Sequence, residues 1–226
     1  MSGSGHTPGF FLVERVADRA VIFIDGNNWF HGLCNIGVEN RSLLDYAKIS
    51  EKLVGPREWL ETRYYIGQIN QKDNSALYAG QRSFLASLKA TDSRISVHLG
   101  RIERRTESNE AATELAVYLK NNGASLAPGV FSDLNEIARK HSEVTVFVEK
   151  AVDVFLAVDL VTMALANAYD AAYVLSADGD YTPAVEAVRR LSKKVYAASC
   201  LPGARLAGVV NSFIRLEREW FDDCYR

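Results

Sequence analysis

Ala172-Tyr173-Val174-Leu175-Ser176-Ala177-Asp178-Gly179-Asp180-Tyr181-Thr182-Pro183 carries, in that order, an apolar strand, an acidic turn and the opening of a helix. The strand is continuously apolar rather than alternating, as expected where a parallel strand is covered on both faces. Pro183 sits where the first helical turn tolerates proline, and the helix predicted from it runs to Leu191. The same rhythm recurs outward along the chain. Val21-Ile22-Phe23-Ile24 runs into Asp25-Gly26-Asn27-Asn28, and Val144 to Val148 runs into Glu149-Lys150-Ala151-Val152-Asp153. Asp153 opens a predicted helix over Val152 to Ala168. Further strands are predicted at Arg63 to Ile66, Ile95 to Leu99 and Lys194 to Ala198. A further helix is predicted over Asn74 to Lys89, where Leu77, Phe84, Leu85 and Leu88 share a face. Strands alternating with helices imply an α/β fold, a doubly wound, mostly parallel central sheet flanked by helices.

A chain of 226 residues is long enough for one domain with a sizeable core. One domain is expected over residues 20–220, preceded by a disordered tail over 1–10. Residues 101–142 break the rhythm and read as a helical insertion. Helices near Glu110 to Lys120 and Ser132 to Lys140 are separated by the turn signals Asn121-Asn122-Gly123 and Ala127-Pro128-Gly129. No apolar run approaches membrane-spanning length. Cys34, Cys200 and Cys224 are too few and too scattered for a disulfide framework or a zinc pair, which suits a reducing cytoplasm. A net charge of -2 argues against a protein held to nucleic acid by bulk basic charge, though not against an enzyme that touches a few phosphates.

Asp25, Asp153 and the pair Asp178 and Asp180 all follow strands. Ligands of open parallel sheets bind outside the carboxyl ends of the strands, so folding would gather these acids in one crevice. Converging carboxylates raise one another's pKa and either hold protons or bind cations. Oxygen donors without His or Cys suit Mg²⁺ or Mn²⁺ rather than zinc. Each acid also has a bland reading. Asp-Gly after a strand is often only a turn, an acid near a helix start suits the macrodipole, and Asp178-Gly179-Asp180 can simply cap the next helix. Three such sites at the ends of alternating strands are stronger together than any one alone.

Those residues carry a resemblance. V-I-F-I-D-G-N-N (21–28), E-K-A-V-D-V-F-L-A-V-D (149–159) and Y-V-L-S-A-D-G-D-Y-T-P-A-V (173–185) resemble the NYN, or LabA-like, branch of the PIN-like nuclease superfamily. The resemblance implies a PIN-like Rossmannoid fold and a metal-dependent ribonuclease, usually an endoribonuclease, that hydrolyses RNA phosphodiesters with metal-activated water. It implies Asp25, Asp153, Asp178 and Asp180 as the acidic metal centre. Asn28 then orients a ligand or water, and Ser176 donates to a carboxylate or phosphate. The family often has glycine where this chain has Ala151 and Ala177, and alanine suits those positions only if the backbone avoids positive φ. Asp159, about 9 Å along a helix from Asp153, is read as lying outside the metal set, either salt-bridging or supporting the ligands from behind.

Candidate RNA contacts are Lys150 beside the centre, Trp29 within the cluster Trp29-Phe30-His31, and Arg104 and Arg105 in a basic cluster. An aromatic cluster opening a helix also fits the core, and a basic cluster also fits a solvated face. The alternative function is a non-catalytic RNA- or protein-binding module on the same fold. A small-molecule phosphatase ranks last, because Asn27 stands where its second aspartate belongs. Substrate selection and assembly into a homo-oligomer are the two roles open to residues 101–142.

Overall fold

The computed structural model describes residues 18–226, so the tail expected over residues 1–10 lies outside the described residues. A seven-stranded sheet has the order β4-β3-β2-β1-β5-β6-β7. Its strands are β1 (Arg19–Asp25), β2 (Glu58–Gln68), β3 (Ile95–Ser108), β4 (Glu143–Lys150), β5 (Ala171–Leu175), β6 (Lys194–Ser199) and β7 (Ser212–Arg215). All neighbours pair in parallel except β3 and β4.

The period of two on β1 explains its unbroken apolar run. Ile22 and Ile24 face a core built with α1 (Gly26–Asn35), α2 (Tyr46–Val54) and α3 (Ser75–Thr91), through Trp29, Leu33, Ile49 and Leu88. Val21 and Phe23 face a second core under α6 (Val152–Leu165) and α7 (Thr182–Arg190), through Leu156, Leu160, Val185 and Val188. Alternate residues of one strand thus serve opposite layers.

The segment between β3 and β4 differs from its sequence reading. Arg101 to Ser108, expected to begin a helical insertion, extend β3 instead, and from Ile102 onward they run beyond the sheet and pair only with β4. This two-stranded ribbon carries α4 (Glu110–Asn122) and α5 (Pro128–Lys140), which close on each other over Leu119, Ala112 and Ala138. Ala127-Pro128-Gly129, read as a turn, is the start of α5, where proline occupies the first turn. The overshoot of β3 has a consequence for function. An antiparallel strand would normally end at the wrong edge of the sheet. Because β4 starts out on the ribbon and runs back, Lys150 lies opposite Arg101, and Arg101 lies opposite Gln68 at the end of β2. Glu149 and the loop into α6 therefore arrive at the same edge as the carboxyl ends of β1 and β5.

Asp159 ties α6 to the sheet below it. Its carboxylate accepts from Arg63 at 2.9 Å and from the Tyr65 hydroxyl at 2.7 Å, the salt-bridging role expected of it. Among the described residues, no helix is long and apolar enough to cross a membrane.

Candidate functional site

β1 is the strand from which the chain turns to both sides of the sheet, and its neighbour β5 is where the strand order reverses. The crevice outside their carboxyl ends is the expected ligand position. Asp25 ends β1 there, is 4% exposed, and caps α1 by accepting from the Asn28 backbone N–H at 3.1 Å. Its other oxygen accepts from the Ser176 hydroxyl at 3.1 Å and lies 3.2 Å from the Tyr181 hydroxyl.

Tyr181 links two of the expected acids. Its buried hydroxyl lies 2.7 Å from Asp153 as well as against Asp25. One phenol proton cannot serve two ionised carboxylates, so the site holds more negative acceptors than donors. Burial, with the charges of Asp25 and Asp153 behind it, pushes the Tyr181 phenol far above its usual range. Burial also holds the Asp25 carboxyl above its usual range. The charge of Asp153 adds to that rise, while the hydrogen bonds from Asn28, Ser176 and Tyr181 oppose it. Glu149 behaves alike: burial raises its pKa, Asp25 and Asp153 add to the rise, and the Gly67 backbone N–H it accepts from opposes it. Sequence reasoning quoted Glu149 and Tyr181 without giving either a role.

The remaining expected residues fall into place unevenly. Ser176 joins Asp25 to the next loop, since its hydroxyl also accepts from the Asp178 backbone N–H at 3.0 Å. Asn28 clamps that loop, its side-chain oxygen accepting from Ala177 N–H at 3.0 Å. Its observed task is to hold protein backbone. Asp178 spends one oxygen on the Asp180 backbone N–H, which shapes the turn before α7. Asp180 is exposed and lines an open hollow with Thr182, Pro183 and Arg205. Among the described residues, no three His, Cys, Asp or Glu side chains are arranged to hold a metal ion. Asp25 and Asp153 meet at the Tyr181 hydroxyl, Glu149 feels the charge of both, Asp178 is tied to Asp25 through Ser176, and Asp180 is exposed to solvent.

The candidate RNA contacts also divide. Trp29, expected at the rim, is in the core at 2% exposure, because its ring packs on Phe221 and its N–H donates to Tyr46. Phe30 and His31 stay exposed. Lys150 is half-buried beside Glu149. Arg104 and Arg105 lie out on the ribbon opposite Phe147 and Val146, and Arg105 pairs with Glu103 at 3.2 Å.

Ala151 departs from the expectation that alanine there avoids positive φ. It sits at φ 70°, in the left-handed region, at the bend that swings β4 into α6 and so sets Asp153. That backbone costs an L-residue ~1–2 kcal/mol, an instance of strain held beside a site. Ala151→Gly is expected to stabilise the fold by about 0.5–1 kcal/mol, the strain relief being partly offset by glycine's freedom when unfolded. A urea midpoint unmoved or lowered by the change would show that no such strain exists.

An open, mostly parallel sheet flanked by helices, with acids at its switch point, fits a PIN-like Rossmannoid architecture. The sequence profile of the NYN domain family matches residues 19–217, and the chain belongs to that family. It is similar to a crystal structure of a protein of unknown function from Vibrio parahaemolyticus RIMD 2210633, with 17% identity, 94% of this chain and 98% of that chain covered, and a TM-score of 0.49. No curated protein matches it.

Proposed function

We propose that this chain is a divalent-metal-dependent ribonuclease, with RNA phosphodiesters as substrate. The observation that carries the proposal is the convergence of Asp25 and Asp153 on one phenol hydroxyl at the sheet's switch point. Family membership supports it, and so does the donor set. Oxygen ligands with surplus negative charge suit Mg²⁺ or Mn²⁺. Asp25 and Asp153 would hold the cation, and Glu149 and Asp178 are the next candidates to complete its shell after side-chain movement. A bound divalent cation supplies Lewis acidity towards the phosphodiester. The chain's own residues do the rest. Ser176, Asn28 and Tyr181 fix the two carboxylates and the loop between them, and the low exposure of Asp25 strengthens every charge interaction there. Asp180 and Lys150 stand at the margin, where substrate phosphates would pass.

A second reading has one observation in its favour. Among the described residues the acids are not preassembled as a metal cluster, as suits a non-catalytic RNA- or protein-binding module. Calorimetry separates the two, since heat on adding Mn²⁺ favours the nuclease and silence at millimolar Mn²⁺ favours the module. A cleavage assay on single-stranded and structured RNA, with Mn²⁺, with Mg²⁺ and with EDTA, then tests the reaction itself.

The raised Asp25 carboxyl sets the pH dependence. Below its folded pKa the cation must displace a proton, so Mn²⁺ affinity is expected to fall as pH falls, by about ten-fold per pH unit per proton displaced. A series of titrations from about pH 7.5 down through the carboxylate range to about pH 3.8 reads this directly, and an affinity constant across it would remove Asp25 from the metal set.

A further inference from the structure

A cavity of about 430 Å³ opens between α1, α2 and α3, on the face of the sheet opposite α6. Its walls are largely apolar and include four aromatic rings, those of Phe30, Tyr46, Tyr64 and Phe84. That volume lies within the range of sites that hold a small organic ring system. We infer that this cavity is a nucleobase pocket, which takes one base of an RNA strand whose backbone crosses the acidic crevice. The identity of the ligand rests on the nuclease reading above; the pocket itself does not.

Four observations point the same way. First, the pocket adjoins the acids. The Tyr64 hydroxyl reaches the carbonyl oxygen of Gly26, the residue after Asp25, at 3.5 Å, and Phe30 is one helical turn further along α1. Second, its charge suits a polyanion. Among the described residues no carboxylate lines it, and the one charged residue that does is Arg41, whose guanidinium lies 5.3 Å from the centre of the Phe30 ring. A planar ring attached to a phosphate satisfies both features. Third, apolar surface at the rim is left uncovered, with Phe30 47% and Leu77 59% exposed.

The fourth observation is Gly80. It lies within α3, where glycine costs ~1 kcal/mol relative to alanine. A Cβ built there would meet no atom of the described residues within 4 Å, so packing among them does not call for a bare backbone. Gly80 lines the pocket. A ligand that approaches the helix backbone closely is a physical reason for glycine at that position.

The polar atoms of the walls are largely engaged already. The Tyr46 hydroxyl accepts from Trp29, and the Gln81 amide group bridges Ile69 and Gly67. The pocket therefore grips a base by stacking rather than by reading its edge, and it accepts purines and pyrimidines alike.

The test is fluorescence anisotropy with the full chain in EDTA, comparing a labelled single-stranded RNA with a strand of equal length that lacks bases. The wild type is expected to prefer the RNA by about ten-fold or more. Gly80→Phe, which fills the pocket from a position that favours a larger residue, should abolish the preference while leaving the baseless strand bound as before. Phe30→Ala, at an exposed site, should do the same. Equal binding of the two strands by the wild type, or a preference that survives Gly80→Phe, overturns the inference. Because binding is read without cleavage, an inactive protein that keeps the preference removes the nuclease reading alone. An active protein without the preference removes the pocket alone.

Discussion

Asp25→Asn is expected to abolish metal-dependent RNA cleavage and at the same time to make the protein more stable. Asp25 is almost fully buried, and burial together with the charge of Asp153 lifts its carboxyl pKa. A raised folded pKa means that the fold disfavours the ionised form. The resulting stability is fully present below the ordinary value near 3.8 and is lost as pH rises through the folded value, so at neutral pH the penalty stands in full. Asparagine removes the charge and keeps the shape. Its carbonyl oxygen can still cap α1 at Asn28, and its amide, in place of the oxygen that accepts from Ser176 and Tyr181, can donate to both hydroxyl oxygens once their protons turn away. The expected gain is about 0.5–2 kcal/mol, which for a chain of this size is a rise of ~2–4 °C in Tm per kcal/mol. Cleavage should fall by ~10³-fold or more, about 4 kcal/mol of lost transition-state stabilisation. Thermal scans in EDTA at neutral and acidic pH check the first half, because the gain should shrink as pH falls. A variant that cuts RNA at the wild-type rate would end the assignment of Asp25 to the chemistry.

The opposed signs follow from where the acids sit, and they also mark what the sequence could disclose. Val21 to Ile24 and Ala172 to Leu175 were legible as buried parallel strands because both faces of each meet a core, leaving unbroken apolar runs that stop at acidic turns. The extension of β3 over Arg101 to Ser108 was not legible. Out on the ribbon it has no core on either side, so its residues are charged and its spacing carries no period. That omission hid the antiparallel return that brings Glu149 to the site. β7 was too short, at four residues, to stand out from the loop around it.

The site was legible to the same degree. Acids at strand ends announce themselves, and Asp25 and Asp153 do meet. The role of Tyr181 depends on how closely α6 and the loop after β5 approach, which no local pattern encodes. Asp178 and Asp180 follow the same motif as each other, yet one shapes the turn and the other faces outward, because the Asp180 backbone N–H needs an acceptor and Asp178 is two residues away. Trp29 and Phe30 are neighbours on a helix, about 100° apart around it, so only one of them could face the core.

Gly26→Ala should be among the most damaging single methyl groups for the site. The pairing of Asp25 with Tyr65 and of Ile24 with Tyr64 brings β2 directly against the start of α1. A Cβ on residue 26 would stand 2.6 Å from the Tyr64 ring and 2.7 Å from the Tyr65 carbonyl oxygen. The ring could rotate away only by leaving a packed core, and the carbonyl belongs to a strand buried in the sheet. The start of α1 must therefore move. Overpacking of this kind costs ~1–3 kcal/mol or more. The displacement also carries the cap of α1 with it, so the hydrogen bond between Asp25 and Asn28 and the clamp from Asn28 to Ala177 shift together. A shift of ~1 Å in a reacting group is enough to cost ~10²-fold in rate. Gly26→Ala is thus expected to lose both stability and cleavage, where Asp25→Asn loses cleavage and gains stability. Urea denaturation and cleavage assays on the two variants side by side separate a site that fails because its charge is gone from one that fails because its backbone has moved. An alanine variant as stable and as active as the wild type would mean that α1 does not hold the acid in place.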